Sequence, residues 1–564
     1  MPEHILVAVA WPYVNDEPHL GHLAGNCLPA DIFARYHRLV GDHVLMVSGS
    51  DMHGTPTALR ALQENVPPST IAQRYHEIHY DAYTRMGISY DLYTTTATEN
   101  HREVAQDIFH TLLRNGHLYE RTIKMPWCER EERFLTDRFV EGECPHCGFP
   151  DARGDQCDNC NRTLDPIELK RIRCKRDGST PQFRDTTHYF LKLTNFQKQL
   201  EDWIGPQEHW RPTVHNLSLG LLREGLIDRA FTRDIEYGVP VPVPGYEQKR
   251  IYVWFEALSG YLSASKEWSR SSGDPDAWKK WWHDRSARSV YFLGKDNITF
   301  HTILWPAMLM GYAGKPELNL PWDVPACEWL TIDRKKQSKS LKNAVWLRDY
   351  LTRYDPDPLR YYLAAVMPET SDSDFTWGGF HSRNNDELVG TLGNFVHRVL
   401  SLIARHFDGR VPEPAALDDA DRAALAACDT ALKDAAAGLS GRRFRDGLRA
   451  LMELAQAGNR YVDGKAPWQT IKQDRIRTAT TLWVGLNMVA TLRTVSYPYI
   501  PFSSEKMHAL LAEPGTVLET GWRRVEPEVG RKMPAPLALF KKLEPTIVDE
   551  EVSRMSGEGI PANS

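Results

Sequence analysis

The sequence predicts an α/β protein with a doubly wound parallel sheet, which is interrupted by a small inserted domain and followed by an all-α helical bundle. Three features carry this prediction. A short apolar run opens the chain at residues 4–10, four cysteines cluster between 144 and 160, and residues 384–536 show a helical pattern rich in Ala, Leu and Arg. With 564 residues the chain is too long for one hydrophobic core, so we expect several domains.

The parallel sheet is predicted from two βαβ patterns. Residues 4–10 form a continuous apolar run, which is typical of a strand buried on both faces. Apolar residues at helical spacing follow over 28–39, and 43–48 indicates a second strand. A matching half is expected further along, with strands at 251–254 and 290–293. Two such halves make a Rossmann-type nucleotide-binding fold, whose ligand lies beyond the carboxyl ends of the strands.

The chain is expected to divide into six segments. These are 1–115, the first half of the nucleotide-binding domain; 116–235, the cysteine-bearing insertion; 236–325, the second half; 326–385, a connecting domain with a basic loop; 386–545, a helical domain; and 546–564, a flexible tail. The tail is expected to be disordered because it is acidic and contains Gly, Ser and Pro.

The composition excludes several classes of protein. The sequence is 42% hydrophobic and 25% charged, as in an ordinary globular protein. A net charge of −6 argues against non-specific coating of nucleic acid, so any such contact must use local basic patches. No apolar run approaches the ~18 residues of a membrane helix, and the N-terminus lacks the basic region of a signal peptide. We therefore expect a cytoplasmic protein that does not associate with membranes.

Four cysteines form the pattern C-x2-C-x9-C-x2-C. They are Cys144, Cys147, Cys157 and Cys160. Each pair can present two thiolates from a tight turn, so the four can close a tetrahedral Zn²⁺ site. Because four protein ligands leave no coordination position for an activated water, this zinc is expected to be structural.

Two polar motifs lie far apart in the chain. His19-Leu20-Gly21-His22 follows the first strand, and Lys336-Gln337-Ser338-Lys339-Ser340 lies in the connecting segment. By itself the first is more often a surface loop or half of a metal site, and the second a solvated face. Together they suit a nucleoside triphosphate, because imidazole N–H groups at a helix N-terminus and mobile ammonium groups both bind phosphate oxygens.

Further motifs occur with these two in a fixed order. They are Trp11-Pro-Tyr13, His19-Leu-Gly-His22, Asp51-Met-His-Gly-Thr-Pro56, Tyr252-Val-Trp254, Gly294-Lys-Asp296 with Phe300-His301, Lys336-Gln-Ser-Lys-Ser340, and Asn459-Arg-Tyr-Val-Asp463 with Ala466-Pro-Trp468. This order resembles the methionyl-tRNA synthetase family of class I aminoacyl-tRNA synthetases, over nearly the whole chain to about residue 540. The stretches 19–22 and 336–340 are similar to the HIGH and KMSKS signatures of the class.

The resemblance implies a ligase with two steps. Methionine and ATP, taken up with Mg²⁺, give methionyl-adenylate and pyrophosphate; the methionyl group then passes to the 3′-terminal adenosine of tRNA(Met), including the initiator, for translation initiation and elongation. The insertion is similar to the family's connective peptide, and the helical domain to its anticodon-binding bundle. A C-terminal oligonucleotide-binding appendage, used by some relatives for dimerisation, is not found, so a monomer is expected.

The resemblance also implies roles for residues that match the family's motifs. The implied ATP-binding residues are His19, His22, Gly294, Asp296, Lys336 and Lys339, and four of these, His19, His22, Lys336 and Lys339, are implied to be catalytic. The implied methionine-binding residues are Trp11, Tyr13, Asp51, Trp254, Ala257, Leu258, Tyr261, Asn297 and His301, with Asp51 paired to the α-ammonium. The implied anticodon-binding residues are Arg405, Asn459, Pro467 and Trp468.

The sequence departs from the family's pattern at several positions. Gln337 replaces the usual methionine of the second signature, Leu258 stands where proline is frequent, and Asn297 where isoleucine is frequent. Ser401 stands where many members carry asparagine beside the anticodon. None of these changes removes a charged catalytic group.

A second pair of cysteines brackets the four-cysteine cluster. Cys128 with Glu131, and Cys174 with Asp177, resemble the outer knuckle of two-zinc family members in which the second cysteine of each pair is replaced by a carboxylate. Zinc prefers sulfur ligands in structural sites, so we expect one zinc per chain. Cys128 and Cys174 are then expected to be free thiols close together in space.

Two other functions stay open. A class I synthetase for valine, isoleucine or leucine generally carries an editing domain larger than residues 116–235, and the cysteine enzyme uses zinc to bind its substrate, whereas the cysteine cluster here is closed. A synthetase-like RNA-binding paralogue without activity is disfavoured, because the implied catalytic histidines and the residues Asp51, Asp296 and Lys339 are all present.

Overall fold

The first segment folds as alternating strands and helices. The computed structural model describes residues 2–136, 139–160, 162, 164–313, 317–336 and 344–556. Its first elements are β1 (His4–Val9), α1 (Leu20–His22), α2 (Leu28–Leu39), β2 (His43–Ser50), α3 (Thr55–Glu64), α4 (Pro68–Arg85), β3 (Leu92–Thr95) and α5 (Glu99–Arg114). A π-helical turn at Leu23–Cys27 joins α1 to α2, so the two form one continuous rod.

The inserted segment is built on antiparallel strands. Its elements are β4 (Leu118–Cys128), β5 (Arg133–Phe134), β6 (Val140–Glu143), β7 (Ala152–Arg153), β8 (Lys170–Cys174), β9 (Gln182–Leu191), α6 (Gln197–Ile204), α7 (Pro212–Glu224), β10 (Arg229–Ala230) and β11 (Thr232–Arg233). A stem sheet has the order β10-β9-β4-β5, and a smaller sheet of order β7-β6-β8 lies at its far end. Strands β4 and β9 pair from Leu118 opposite Leu191 to Trp127 opposite Gln182.

The second half of the nucleotide-binding fold closes the central sheet. Its elements are β12 (Arg250–Ile251), α8 (Val253–Ser271), α9 (Lys279–Trp282), β13 (Arg288–Phe292) and α10 (Trp305–Tyr312). The central sheet has the order β13-β1-β2-β3 and all its neighbours are parallel, which confirms the predicted doubly wound fold. Strand β1 is fully buried from Ile5 to Val9, as its continuous apolar sequence predicts.

The predicted strand at 251–254 is wrong. Only Arg250–Ile251 of this region form a strand, and they pair with Thr232–Arg233 in a separate antiparallel sheet. Helix α8 begins at Val253, immediately after this short pairing. The run Tyr252-Val-Trp254 has β-branched and aromatic residues that favour strands, but burial of one face of α8 against the central sheet overrides that local preference.

The connecting segment forms a small three-stranded sheet with helices. Its elements are β14 (Leu330–Ile332), β15 (Lys335–Lys336), α11 (Leu347–Tyr350), α12 (Pro356–Ala365), β16 (Ser373–Phe375) and α13 (Trp377–Ser382). Strand β14 pairs antiparallel with β15 and parallel with β16. The predicted basic loop therefore leaves the sheet at Lys336.

The C-terminal region is the predicted helical bundle. Its helices are α14 (Asn394–His406), α15 (Asp419–Ser440), α16 (Phe444–Lys465), α17 (Pro467–Thr470), α18 (Arg475–Ser496), α19 (Pro501–Leu510), α20 (Val517–Thr520) and α21 (Ile547–Ser556). Helix α18 is buried at every position from Thr478 to Ser496 and is the centre of the bundle. No helix in the described parts of the chain has both the length and the hydropathy needed to cross a bilayer.

The flexible tail expected over 546–564 is wrong for its first part. Residues Ile547–Ser556 form a helix whose Ile547, Val548 and Met555 pack on the main hydrophobic core. Its Glu551 is 2% exposed and accepts hydrogen bonds from Arg353 and Tyr354 of the connecting segment. Buried partners thus order a stretch whose composition suggested disorder, while residues 557–564 lie outside the described residues.

Candidate functional site

The carboxyl ends of the parallel strands gather the predicted catalytic residues at one edge of the sheet. Tyr13 follows β1, Asp51 follows β2, and Gly294 follows β13. Tyr13 and Asp51 are directly paired by a backbone bridge, and the Asp51 N–H donates to the carbonyl of Pro12 at 2.9 Å. This edge is where doubly wound folds bind their ligands.

The two histidines of the first motif cap their own helix. His19 Nδ1 accepts a hydrogen bond from the Gly21 N–H at 3.0 Å, and His22 Nδ1 accepts one from the His19 N–H at 3.3 Å. Each neutral ring therefore carries its proton on Nε2. Burial lowers the pKa of His22 to about 4, so this imidazole is neutral at neutral pH. The two rings lie 4.1 Å apart between centroids and form one polar surface at the helix N-terminus.

The chain that follows the basic loop docks on this histidine turn. The Leu20 N–H donates to Val345 O at 3.2 Å, and the Leu347 N–H donates to Pro18 O at 3.0 Å. The rings of His19 and Trp346 lie 5.9 Å apart. Both ends of the basic loop are thus fixed, one in β15 and one on the histidine turn. The predicted catalytic Lys339 lies outside the described residues, as does Gln337, which departs from the family's usual methionine. Lys336 is described only as a member of β15.

Aromatic rings form one wall beside Asp51. Trp254 stacks on Phe300 with centroids 4.1 Å apart, and Tyr13 meets Trp254 edge-on at 5.8 Å. A Cβ at Gly54 would lie 2.2 Å from the Tyr13 ring, so only glycine allows the ring this position. Phe300 was not among the predicted binding residues, although it belongs to the same motif as the predicted residue His301. The stacking partner of Trp254 can be identified only from the fold.

Tyr261 and His301 form a second, buried part of the wall. His301 Nδ1 donates to the carbonyl of Asn297 at 2.9 Å, so its Nε2 accepts the hydrogen bond from the Tyr261 hydroxyl at 2.7 Å. Burial lowers the pKa of His301 to about 4, and this ring is therefore neutral and has a fixed tautomer. Asn297 contributes its backbone oxygen to this arrangement.

Three other predicted methionine-binding residues surround this wall. The Trp11 ring fills the space beside two glycines, since a Cβ at Gly49 or Gly260 would lie 2.3 or 2.8 Å from it. Leu258 is buried and Ala257 is half-buried on the first turns of α8. Trp11 therefore supports the pocket from between β2 and α8.

The predicted ribose-binding residues follow β13. Gly294 precedes a short 3₁₀ turn, and apart from its two chain neighbours no described residue has an atom within 4 Å of the place where its Cβ would stand. Asp296 is exposed, and its Oδ2 accepts a hydrogen bond from Trp329 Nε1 at 3.2 Å. The backbone at Gly294 and the Asp296 carboxylate are thus both accessible to a ligand at the sheet edge.

The four clustered cysteines converge at the tip of the insertion. All four Sγ atoms lie within 4.8 Å of one another, with Cys144 and Cys160 at 3.9 Å and Cys147 and Cys157 at 3.6 Å. A tetrahedral zinc with Zn–S bonds of about 2.3 Å requires sulfur atoms about 3.8 Å apart. The cluster therefore fits such an ion closely.

The second cysteine pair also converges, as expected. Cys128, Cys174 and Asp177 place their ligand atoms within 4.8 Å of one another, and Cys128 Sγ lies 3.6 Å from Asp177 Oδ2. Glu131 is not in this group and lies 3.4 Å from the guanidinium of Arg176. The described residues thus supply three possible ligands here, one fewer than the four-cysteine site.

Trp468 is an exposed ring on the helical domain. It is 40% exposed, and the Arg398 guanidinium lies over it at 5.1 Å from the ring centroid. Arg398 is held by Asp463 at 2.7 Å, and Asn394 donates to Asn459 at 3.2 Å. Pro467 is buried, so it positions the ring.

The predicted anticodon-binding Arg405 stands two helical turns further along α14. It is exposed, and its role stays a prediction. Sequence reasoning missed Arg398, whose proximity to Trp468 comes from the packing of α14 against α16 and the turn that follows α16.

The sequence also matches known protein families over most of its length. Residues 5–400 match the family model described as tRNA synthetases class I (M), and residues 411–559 match the anticodon binding domain of methionyl tRNA ligase. The chain is 51% identical over 555 residues to a methionine–tRNA ligase of Dehalococcoides mccartyi, covering 98% of this chain and 100% of the relative. It is 48% identical over 583 residues to that of Thermomicrobium roseum, covering 98% and 99%.

Solved structures agree with these relationships. Methionyl-tRNA synthetase of Mycobacterium tuberculosis in complex with methionyl-adenylate superposes with a TM-score of 0.79 at 25% identity, covering 96% of this chain and 99% of that one. The expected family and enzyme class are thereby confirmed. This chain belongs to the methionyl-tRNA synthetase family, the class I aminoacyl-tRNA ligases that join methionine to tRNA.

Proposed function

We propose that the sheet-edge site activates methionine with ATP and that the same protein, a cytoplasmic monomer, transfers the methionyl group to initiator and elongator tRNA(Met). One observation carries the assignment of the site. The histidine turn, both anchored ends of the basic loop and an aromatic wall with a buried carboxylate meet at the carboxyl edge of one parallel sheet. A triphosphate and an amino acid can therefore be held side by side.

The first step is an in-line displacement at the α-phosphate of ATP. A methionine carboxylate oxygen forms a bond to the α-phosphorus as the bond to the β-phosphate oxygen breaks, so the protein must position both groups and stabilise negative charge. The Nε2–H groups of His19 and His22 suit the triphosphate oxygens, because both Nδ1 atoms already accept backbone hydrogen bonds. The pyrophosphate carries charge that Mg²⁺ bound with ATP offsets.

The other ATP contacts come from the basic loop and from β13. Lys336 and Lys339 close over the triphosphate from a loop whose following residues rest on the histidine turn. Gly294 and Asp296 hold the ribose, since a carboxylate can accept hydrogen bonds from its hydroxyl groups. No covalent bond between enzyme and substrate is needed in this scheme.

The methionine side chain is recognised by the aromatic wall. A thioether is apolar and polarisable, and it makes favourable contacts with aromatic rings such as Tyr13, Trp254 and Phe300. Asp51 receives the α-ammonium. Homocysteine is smaller by one methyl group, so binding alone is expected to disfavour it by about 10- to 200-fold.

The anticodon is read on the helical domain. Single-stranded RNA loops are commonly recognised by stacking of unpaired bases on exposed aromatic rings and on arginine planes. Trp468 and Arg398 present both kinds of surface together. Asn459, Pro467 and Arg405 complete the proposed surface.

Methionine alone is expected to support strong exchange of radioactive pyrophosphate into ATP when all twenty proteinogenic amino acids are tested. The rings of Tyr13, Trp254 and Phe300 offer a polarisable thioether favourable sulfur–aromatic contacts that valine and isoleucine cannot make. Equal or greater exchange with valine, isoleucine or cysteine would overturn the assignment of substrate. Exchange with no amino acid would favour the non-enzymatic alternative.

Trp468→Ala is expected to weaken aminoacylation of tRNA by about 1–3 kcal/mol in kcat/KM, because one stacked base loses its platform. Pyrophosphate exchange should be unchanged, since the ring is in another domain from the sheet edge. Ile476→Ala, at a 68% exposed position of the same domain, is the control and should affect neither reaction. A parallel fall in both reactions of the Trp468 variant would show that the ring is needed for folding.

Metal analysis of protein purified without chelator is expected to find one zinc per chain, held by the four-cysteine cluster. Cys144→Ser should reduce the zinc content, whereas Cys428→Ser, at a buried cysteine of the helical domain, should retain it. Thiol titration after denaturation should recover all nine cysteines. Two zincs per chain would contradict the single-site proposal, and none would contradict a zinc site altogether.

A further inference from the structure

Two buried carboxylates lie at the proposed amino-acid subsite. Asp51 is 3% exposed and Glu256, on the first turn of α8, is 1% exposed. Burial of a charged carboxylate is costly unless a cation or several donors compensate it. The proposed function assigns a role to Asp51 but none to Glu256.

His53 contacts both acids. Its backbone N–H donates to Asp51 Oδ1 at 3.2 Å, and its ring Nδ1 makes a short hydrogen bond to Glu256 Oε1. Thr96 fixes the same loop, because its Oγ1 accepts the Met52 N–H at 2.9 Å. The ring of His53 thus makes its hydrogen bond to Glu256, whereas Asp51 receives a hydrogen bond from the His53 backbone.

Glu256 is bound from further elements as well. His101 Nε2 lies 3.6 Å from its Oε1, and the Val239 N–H lies 3.5 Å from its Oε2. The Ser263 hydroxyl donates to Gly260 O at 3.0 Å, so it accepts from His101 Nδ1 at 2.9 Å and fixes that ring. The Glu256 carboxylate therefore has possible partners from α5 and from the two loops that carry His53 and Val239.

Asp51 has no such surroundings. Within the described part of the chain, no Lys, Arg or His lies at ion-pair distance from its carboxylate. Burial, together with the nearby negative charge of Glu256, raises the pKa of Asp51 well above its usual value. Burial acts in the same direction on Glu256, but His53 and His101 outweigh it and lower the pKa of Glu256 to about 2. A cation from a ligand would therefore offset the cost of the buried negative charge on Asp51.

We propose that Glu256 is a positioning residue for the substrate ammonium: it holds the imidazolium of His53 to itself and so leaves the Asp51 carboxylate for the amino group of methionine. Without the charge of Glu256, the His53 imidazolium would be attracted to Asp51 and would compete with the substrate. The inference rests on the proposed role of Asp51.

The test compares Glu256→Gln with Glu267→Gln, the same substitution at an acid on the same helix whose Oε1 accepts from Thr94. Three ligands are used in pyrophosphate exchange: methionine, methioninol, which has the ammonium but no carboxylate, and 4-(methylthio)butanoic acid, which has no ammonium. In Glu256→Gln, the KM for methionine and the Ki for methioninol are expected to rise about 10- to 100-fold. The KM for ATP and the Ki for the acid should be unchanged, and Glu267→Gln should resemble the wild type.

A second variant guards against misfolding of the first. Glu256→Asp keeps the negative charge but moves it further from His53 by one methylene group. We therefore expect a smaller loss of affinity, confined to the two ligands that carry an ammonium group, methionine and methioninol. Equal weakening of all three ligands, or of none, in both variants would overturn the proposal.

Asp51→Asn separates the two claims. If it weakens methioninol while the Glu256 variants do not, the role of Asp51 stands and the inference about Glu256 fails. If Asp51→Asn leaves methioninol binding unchanged, the proposed role of Asp51 fails and the inference fails with it.

Discussion

A single buried guanidinium joins the three parts of the molecule on which activity depends. Arg360 of α12 is fully buried and pairs with the equally buried Asp31 of α2 at 2.6 Å. It also donates to Tyr499 O at 2.8 Å, beyond the central helix of the bundle, and to Met86 O at 3.1 Å, at the end of α4. Stranding a buried charge completely costs about 3–5 kcal/mol. Asp31 keeps a second cation, Arg35 at 2.9 Å, so the loss of Arg360 is expected to cost less than that. The connecting segment, the helical domain and the catalytic sheet are thus fixed to one another at this point.

This junction acts directly on the catalytic turn. Asp31 lies on α2, the helix that continues from the histidine turn. Burial alone would raise the pKa of its carboxyl group, but Arg35 and Arg360 outweigh burial and lower this pKa to about 2. The other end of the connecting segment rests on the same turn through Val345 and Leu347. A shift of α12 would therefore move the histidines and the end of the basic loop together.

Local patterns in the sequence predicted what depends on local chemistry. The cysteine spacing predicted the cluster, and the apolar run of β1 predicted a central strand. Expectations failed where distant contacts decide the structure. The helix at Ile547–Ser556 is ordered by Arg353, about 200 positions away, and Glu256 meets His53 across a separation of 203 residues. His53 lies within the motif Asp51–Pro56 and Glu256 two residues after the motif Tyr252–Trp254, but their pairing is a property of the fold. The partner of Trp468, Arg398, is likewise set by helix packing, which the family resemblance that implied Arg405 does not show.

Hydrogen exchange measured by mass spectrometry tests directly whether Arg360 couples the three domains. In Arg360→Met, amide exchange is predicted to be faster than in the wild type in all three regions together: in α2, around Met86 and around Tyr499. Arg102→Met, which breaks an exposed ion pair with Glu99 within one turn of α5, is the control and should leave all three regions protected. Faster exchange confined to α12 in the Arg360 variant would contradict this coupling, because the other two domains would then be held in place without Arg360.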